Sequence, residues 1–246
     1  VNDGARLTAS TLGQGNAGTI TIEARDTVLF SNSFALSLVE ENAQGNAGGV
    51  NIFADSLEVR YGAQLNSMSS GQGNAGTITL EASDRVIFAG VNPEGLPSGG
   101  LASVLDTGQG NAGGLSIVAS SLELRDGAIL DSSTLGEGNA GTVSIEVGET
   151  FLLSNGFVGS GVGEDAHGNA GNITIVANQL EVHDGVLLSS SFNEGDAGTV
   201  TVEVRDSAIF SGFYTDFLDP EPEVWASGLY STIEEAGQGN AGGVNL

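Results

Sequence analysis

Gly15-Asn16-Ala17-Gly18-Thr19-Ile20-Thr21-Ile22 is the stretch whose reading decides the fold. Its first four residues return at Gly45, Gly73, Gly110, Gly138, Gly168 and Gly239, with one variant, Gly195-Asp196-Ala197-Gly198. Each copy leads into a short, largely β-branched run, as in Gly48-Gly49-Val50-Asn51-Ile52 or Gly198-Thr199-Val200-Thr201-Val202. Successive copies lie 30, 28, 37, 28, 30, 27 and 44 residues apart. Self-similarity at a period of about 20–50 residues marks a stacked or radial repeat architecture rather than an ordinary globular domain. The shortest spacings define the bare unit, and the longer ones carry insertions.

Within a unit the pattern changes from turn to strand three times. In the second unit the runs are Val50 to Ala54, Leu57 to Arg60 and Ala63 to Ser67, with breaks expected at Asp55-Ser56, Tyr61-Gly62 and Ser70-Gly71-Gln72-Gly73. Period-2 alternation places Val50, Ile52, Ala54, Leu57, Val59, Ala63 and Leu65 on one face. Runs of about five residues joined by two or three turn residues leave no room for a crossover helix. The chain is therefore expected to be all-β: a parallel β-helix with three strands per coil, about eight coils, and an apolar interior.

Two kinds of unit alternate. One begins at Gly45, Gly110 and Gly168 and carries Leu57-Glu58-Val59-Arg60, Leu122-Glu123-Leu124-Arg125 and Leu180-Glu181-Val182-His183. The other begins at Gly15, Gly73, Gly138 and Gly195 and carries apolar triplets such as Val28-Leu29-Phe30 and Val86-Ile87-Phe88. There Val28 and Phe30 are placed inside and Leu29 outside, since the opposite register would bury Thr27 and Arg85. Coils stack about 4.8 Å apart, so an acid repeated in every coil would face its own copy. Alternation instead interleaves Glu23, Glu81, Glu146 and Glu203 with Phe53, Val118 and Val176, and Glu58, Glu123 and Glu181 with Leu29, Ile87, Leu152 and Ile209. Like acids then stand about 9.6 Å apart, near one Debye length at physiological salt.

Composition narrows the function. The chain holds 31 acids against six basic residues, all Arg, for a formal net charge of −25, and no Cys. That charge argues against nucleic acid and anionic membranes as partners, because both are bound through basic patches. Disulfides and thiolate metal sites are unavailable, and no apolar run approaches the roughly 18 residues of a membrane helix. Residues 1–246 read as one continuous repeat segment of a longer protein, entered and left in mid-unit.

The corner residues Asn16, Asn46, Asn74, Asn111, Asn139, Asn169 and Asn240 are expected to form a structural column of amides, each bonded to its copy above; ligand or metal binding is the functional alternative. Asp196 is expected to break that column and make its turn the weakest joint. Thr21, Asn51, Thr79, Ser116, Ser144, Thr174, Thr201 and Asn245 share one outward position. A flat threonine face of the ice-binding kind is ruled against by the gaps at Gly49 and Gly114 and the bordering glutamates. Acid–base catalysis needs carboxylates and a base converging on one groove, whereas these acids recur by repeat and His167 and His183 occur singly. Calcium needs six to eight oxygens from a compact loop, and no Asp-rich nonapeptide is present. No catalytic residue, cofactor or metal is expected.

Insertions fall in the second kind of unit, before its last strand: residues 90–100, with Pro93 and Pro97, and residues 213–226. Phe213, Tyr214, Phe217 and Trp225 make the latter a candidate partner-binding loop, the plainer reading being that Phe217 and Trp225 fold back over the rod's edge. Stacking puts both loops on one edge, four coils or about 19 Å apart.

The tetrapeptide, the Asp126-Gly127-Ala128 turn and the insertion Asn92-Pro93-Glu94-Gly95-Leu96-Pro97-Ser98-Gly99 together resemble the repeats of filamentous haemagglutinin-type exoproteins, most of all the long secreted versions of cyanobacteria. The resemblance covers essentially the whole chain. It implies a right-handed β-helix passenger exported by two-partner secretion through an outer-membrane pore, secreted or displayed on the surface of a Gram-negative-type bacterium as an adhesin. The implied partner is a cell-surface or matrix glycan or protein. It carries no active site to transfer, and the secretion domain that defines the family is not in this chain. Leu29, Phe30, Ile87 and Phe88 make the middle strand more apolar than such repeats usually are. The alternatives are a filament or matrix subunit, favoured by end-to-end association of open coil edges, and a polysaccharide-active β-helix enzyme.

Overall fold

The computed structural model describes residues 1–215, 224–235 and 237–246. Among them there is no helix; the chain is a parallel β-solenoid of about seven turns. This agrees with the expected count of about eight coils, since eight corners enclose seven full turns.

Three ladders build the coil. The first follows each Gly-Asn-Ala-Gly corner and pairs Ile20–Glu23 with Val50 onward, then Ile78, Leu115–Ala119, Val143–Val147, Ile173, Thr199 and finally Gly243–Asn245. The second stacks Thr27–Ser31, Ser56 to Arg60, Arg85 to Ala89, Ser121–Arg125, Thr150–Ser154, Gln179 to His183 and Ser207 to Ser211. The third runs from Arg6–Thr8 through Phe34–Leu36, Gln64–Asn66, Gly99–Leu101, Ile129–Asp131, Phe157–Gly159 and Val186–Ser191 to Gly228–Ile233. Every pairing in the three ladders is parallel.

The break expected at Asp55-Ser56 is a bend instead. Val50–Arg60 is one continuous strand, with a register irregularity between Ala54 and Ser56, and Ile78–Ala89, Ile173–His183 and Thr199–Ser211 likewise run through the bend. A bulge turns a strand sharply without ending its pairing, so two turn residues there do not read as a stop.

The interior follows the alternation. Phe30, Val59, Phe88, Leu124, Leu153 and Val182 form one inward column, each fully or nearly fully buried. Large and smaller side chains alternate at its lower end, which lets successive coils interdigitate. Leu29 lies outside at 43% exposure, as the register argument requires, but Ile87 at the equivalent outward position is only 5% exposed. Ile87 sits in register between Glu58 and Glu123, whose carboxylates are held by Arg60, Arg85 and Arg125. The long stems of paired charged residues cover apolar surface beneath them.

The corner between the second and third ladders uses the left-handed backbone region. Asp3, Asn32, Tyr61, Asp126, Asn155 and Asp184 have φ between 45° and 58°, and Gly90 and Gly212 occupy the equivalent place in their coils. Asn, Asp and Gly adopt this conformation readily, whereas a bulky residue is held there against its preference. Tyr61 is the misfit: φ is 54° and the side chain is 62% exposed. Tyr61→Asn removes this strain without removing a buried contact, and it should raise the unfolding free energy by about 1 kcal/mol; urea denaturation measures the gain.

Candidate binding surface

The corners stack directly on one another, and their chemistry differs from the expected amide-to-amide column. Each corner side chain offers its Oδ1 to the backbone N–H of the next corner: Asn16 to Asn46 at 2.9 Å, Asn46 to Asn74 and Asn74 to Asn111 at 2.8 Å, Asn111 to Asn139 at 2.9 Å and Asn139 to Asn169 at 2.8 Å. Asp196 does not interrupt the series. Its N–H donates to Asn169 at 2.9 Å, and its own Oδ1 accepts from both the N–H and the side-chain amide of Asn240 at 2.8 and 2.9 Å. The position demands an acceptor oxygen, which a carboxylate supplies as well as an amide. Return bonds run the other way, Ala17 N–H to the Asn46 carbonyl and Ala47 N–H to that of Asn74.

The two glycines are sterically forced. The first glycine of seven corners, Gly15 to Gly195, has φ between 127° and 152°, where only glycine rests without strain. The second stands where a Cβ would overlap the corner below: at Gly141 it would collide with the Gly113 carbonyl. In most coils a serine locks this glycine from inside, although the buried Ser67 hydroxyl at the same place makes no hydrogen bond. Ser160 donates to the Gly141 carbonyl at 2.6 Å and accepts from Gly171 N–H at 3.0 Å; Ser189 does the same to Gly171 and Gly198 at 2.9 and 2.8 Å. Ser37 and Ser231 repeat the clasp, and Ser132 donates to Gly113. This column was not foreseen, yet it is written in the sequence. Ser37, Ser67, Ser132, Ser160, Ser189 and Ser231 precede the second glycine of a corner by alternately 11 and 9 residues, and Ala9 and Ala102 hold the same place at Gly18 and Gly113.

The insertions both leave the corner between the second and third ladders. Residues 90–98 form a tight loop in which Asn92 Oδ1 accepts from Glu94 and Leu96 N–H. Ser98 anchors it, accepting from Gly62 N–H and donating to the Ala89 carbonyl, and Gln64 donates to the Pro97 carbonyl. In the second insertion Phe213–Thr215 pairs antiparallel with Val224–Ala226. Tyr214 is buried and stacks on Phe157 with ring centroids 6.1 Å apart, while Trp225 meets Tyr230 edge to face at 5.2 Å. The aromatic quartet is thus divided: Tyr214 and Trp225 turn to the rod, Phe213 stands 67% exposed, as does Val224 on the paired strand at 66%, and Phe217 lies outside the described residues.

The outward acids fall into two columns of opposite character. On the second ladder Glu58 is paired with Arg60 at 3.0 Å and Arg85 at 3.2 Å, Glu123 with Arg125 at 3.3 Å, and Glu181 with His183 at 3.3 Å. His183 also lies 2.6 Å from the Ser211 hydroxyl. This Glu181–His183–Ser211 line has the residue types of a nucleophile–base–acid set, but it repeats the Glu58–Arg60 and Glu123–Arg125 spacing on an open face, with His183 standing where the arginines stand. On the first ladder Glu23, Glu81, Glu146 and Glu203 receive no ion pair or hydrogen bond from a described residue. They alternate in register with Phe53, Val118 and Val176. Among the described residues no His, Cys, Asp and Glu group has the geometry to hold a metal ion.

One acid lies on the third ladder away from both columns. Asp131 accepts from the hydroxyls of Ser103 at 2.6 Å and Ser133 at 2.5 Å and from Ser133 N–H at 3.2 Å. Burial pushes its carboxyl above the usual aspartate range, and these hydrogen bonds offset only part of the rise.

The fold and these surfaces define a parallel β-solenoid repeat protein. Searches against protein-family models, curated proteins and solved structures find no match.

Two predictions follow from this geometry. Because the corner needs only an acceptor, Asn139→Asp should leave stability within about 0.5 kcal/mol, while Asn139→Ala leaves the Asn169 N–H unanswered and should cost about 1 kcal/mol; denaturant midpoints of the two variants decide it. For Asp131 the folded pKa is raised, so its protonated form is the one the fold favours. Its contribution is full below the ordinary value of 3.8 and is lost as pH rises through the folded value. The stability of Asp131→Asn relative to the parent should therefore rise between acid and neutral pH, as unfolding at a series of pH values would register.

Proposed function

We propose that the chain is a non-enzymatic stalk of a secreted or surface-displayed adhesin, meeting a cell-surface or matrix glycan or protein through its outward faces and edge loops. The observation that carries this reading is the arrangement of the outward side chains. They repeat in columns along a rod, with acids distributed coil by coil and no described carboxylate–base set enclosed in a cleft. A repeated, extended surface suits contact with an extended partner, while chemistry on a bound substrate requires groups gathered at one point. The resemblance of the repeats to filamentous haemagglutinin-type exoproteins supports the same conclusion, along with export through an outer-membrane pore. The absence of Cys is compatible with such export, since premature cross-links would hinder passage.

The exposed Phe213 and Val224 give the second insertion its adhesive surface. Binding of the chain to a glycan array and to a panel of cell surfaces, compared with a variant in which a short Gly-Ser linker replaces residues 213–226, tests the proposal. Specific binding that falls at least about tenfold on this exchange, a loss of 1.4 kcal/mol, is the expected result. Turnover of a polysaccharide without retained binding would overturn it.

A further inference from the structure

A concave groove of about 760 Å³ runs along the outside of the bend between the first and second ladders. Ala24, Ala54 and Ala82 form its floor, and Glu23, Phe53, Glu81 and Val118 follow one another up one side. We propose that this groove binds an extended cationic segment of a partner protein in the polyproline-II conformation, with Lys or Arg at every third position. The inference rests on the reading of the rod as a partner-binding stalk and names the chemistry of one such partner.

Three observations carry it. First, the molecule pairs one acid column with basic side chains and leaves the other open. Arg60, Arg85, Arg125 and His183 all serve Glu58, Glu123 and Glu181, while the groove's Glu23 and Glu81, and Glu146 and Glu203 above them in the same column, have no ion pair with a described residue. The one basic residue lining the groove is Arg25, in the lowest coil. Second, between the open carboxylates the wall is apolar: Phe53 is half-buried and Val118 is 44% exposed. A purely ionic surface has no use for these side chains, whereas proline rings dock on apolar and aromatic walls.

Third, the spacing selects one backbone conformation. Open carboxylates recur every second coil, about 9.6 Å. A polyproline-II chain has three residues per turn and rises about 3.1 Å per residue, so residues three apart share a face at about 9.3 Å. Across four carboxylates the mismatch accumulates to only about 1 Å. In a β-strand, residues on one face recur every 6.8 Å or so, which misses the second glutamate by nearly 3 Å and so cannot serve neighbouring carboxylates in turn. An α-helix returns to the same face after seven residues at about 10.5 Å and drifts nearly 3 Å over the same column. The net charge of −25 adds long-range attraction for a basic partner.

The test uses three labelled peptides at physiological ionic strength: a run of Lys-Pro-Pro repeats, an isomer of the same composition with its lysines grouped at one end, and a helix-forming peptide with Lys at every seventh position. Fluorescence anisotropy against the whole chain reads the affinities. The repeat should bind at least about tenfold tighter than its block isomer, equivalent to 1.4 kcal/mol, and tighter than the helix. Glu81→Gln and Phe53→Ala should each weaken it several-fold, and Glu123→Gln in the paired column should leave it unchanged. Equal affinity for the two isomers would reduce the groove to diffuse charge attraction, and preference for the helical peptide would assign it to a different partner; either overturns the proposal, as would binding of none of the three. If all three fail while the chain still binds surfaces, the stalk reading survives this inference; if the repeat peptide binds while no surface does, the groove survives the stalk reading.

Discussion

One contact sets the geometry of the rod: the backbone N–H of each corner asparagine meets the side-chain oxygen of the corner beneath. It fixes the vertical step at one strand spacing and the lateral position to within a hydrogen bond, seven times in succession. The flanking residues serve that contact. The first glycine supplies a backbone angle that other residues resist, the second makes room for the neighbouring corner, and the buried serine ties the second glycine to the coils on either side. A buried hydroxyl with donor and acceptor both engaged loses nothing relative to water, whereas an unengaged one is costly. Polar groups therefore specify the register of an interior otherwise made of interchangeable aliphatic layers.

A second constraint is charge. Stacking identical coils would place every acid against its copy, and a chain with a net charge of −25 could not tolerate that on two faces at once. Alternating unit types resolve the conflict by putting an apolar residue between like acids in both columns. The columns then diverge. One is paired with arginines two residues along the same strand or in the next coil, and between Glu58 and Glu123 their stems leave Ile87 buried on an outward face, while Leu29 and Ile209 at the ends of the column stay exposed. The other receives no ion pair from a described residue, which turns a device against self-repulsion into a surface with a regular chemical period.

Much of this architecture was legible in the sequence because a solenoid repeats its evidence. Eight corners and a strict inward alternation define the three ladders and their registers, and Val28, Phe30, Val86 and Phe88 lie inside as the pattern requires. What was not legible followed from local chemistry that residue types alone leave open. An Asn column is compatible with amide-to-amide or amide-to-backbone bonding, and only the second makes Asp196 equivalent to Asn. Asp55-Ser56 has the composition of a turn but occupies a bulge, because pairing on both sides holds the strand through it. The serine column escaped notice because serine also fills exposed turns here, and its alternating offset from the corner is meaningful only once the two unit types are aligned. The second insertion offered aromatic content without direction; packing on Phe157 and Tyr230 decides that Tyr214 and Trp225 face the rod.

Amide hydrogen exchange at the corners tests the central contact most directly. The asparagine side chains stand in solvent at Asn46, Asn74, Asn111, Asn139 and Asn169, so an unbonded N–H there would exchange like that of an open loop. Bonding to the corner below predicts protection comparable to that of the neighbouring strand amides such as Ile78 and Val143, lost only when the coils separate. Rapid exchange at these five amides alongside protected strands would show that the corners are merely adjacent and that the rod is held together by its apolar core alone.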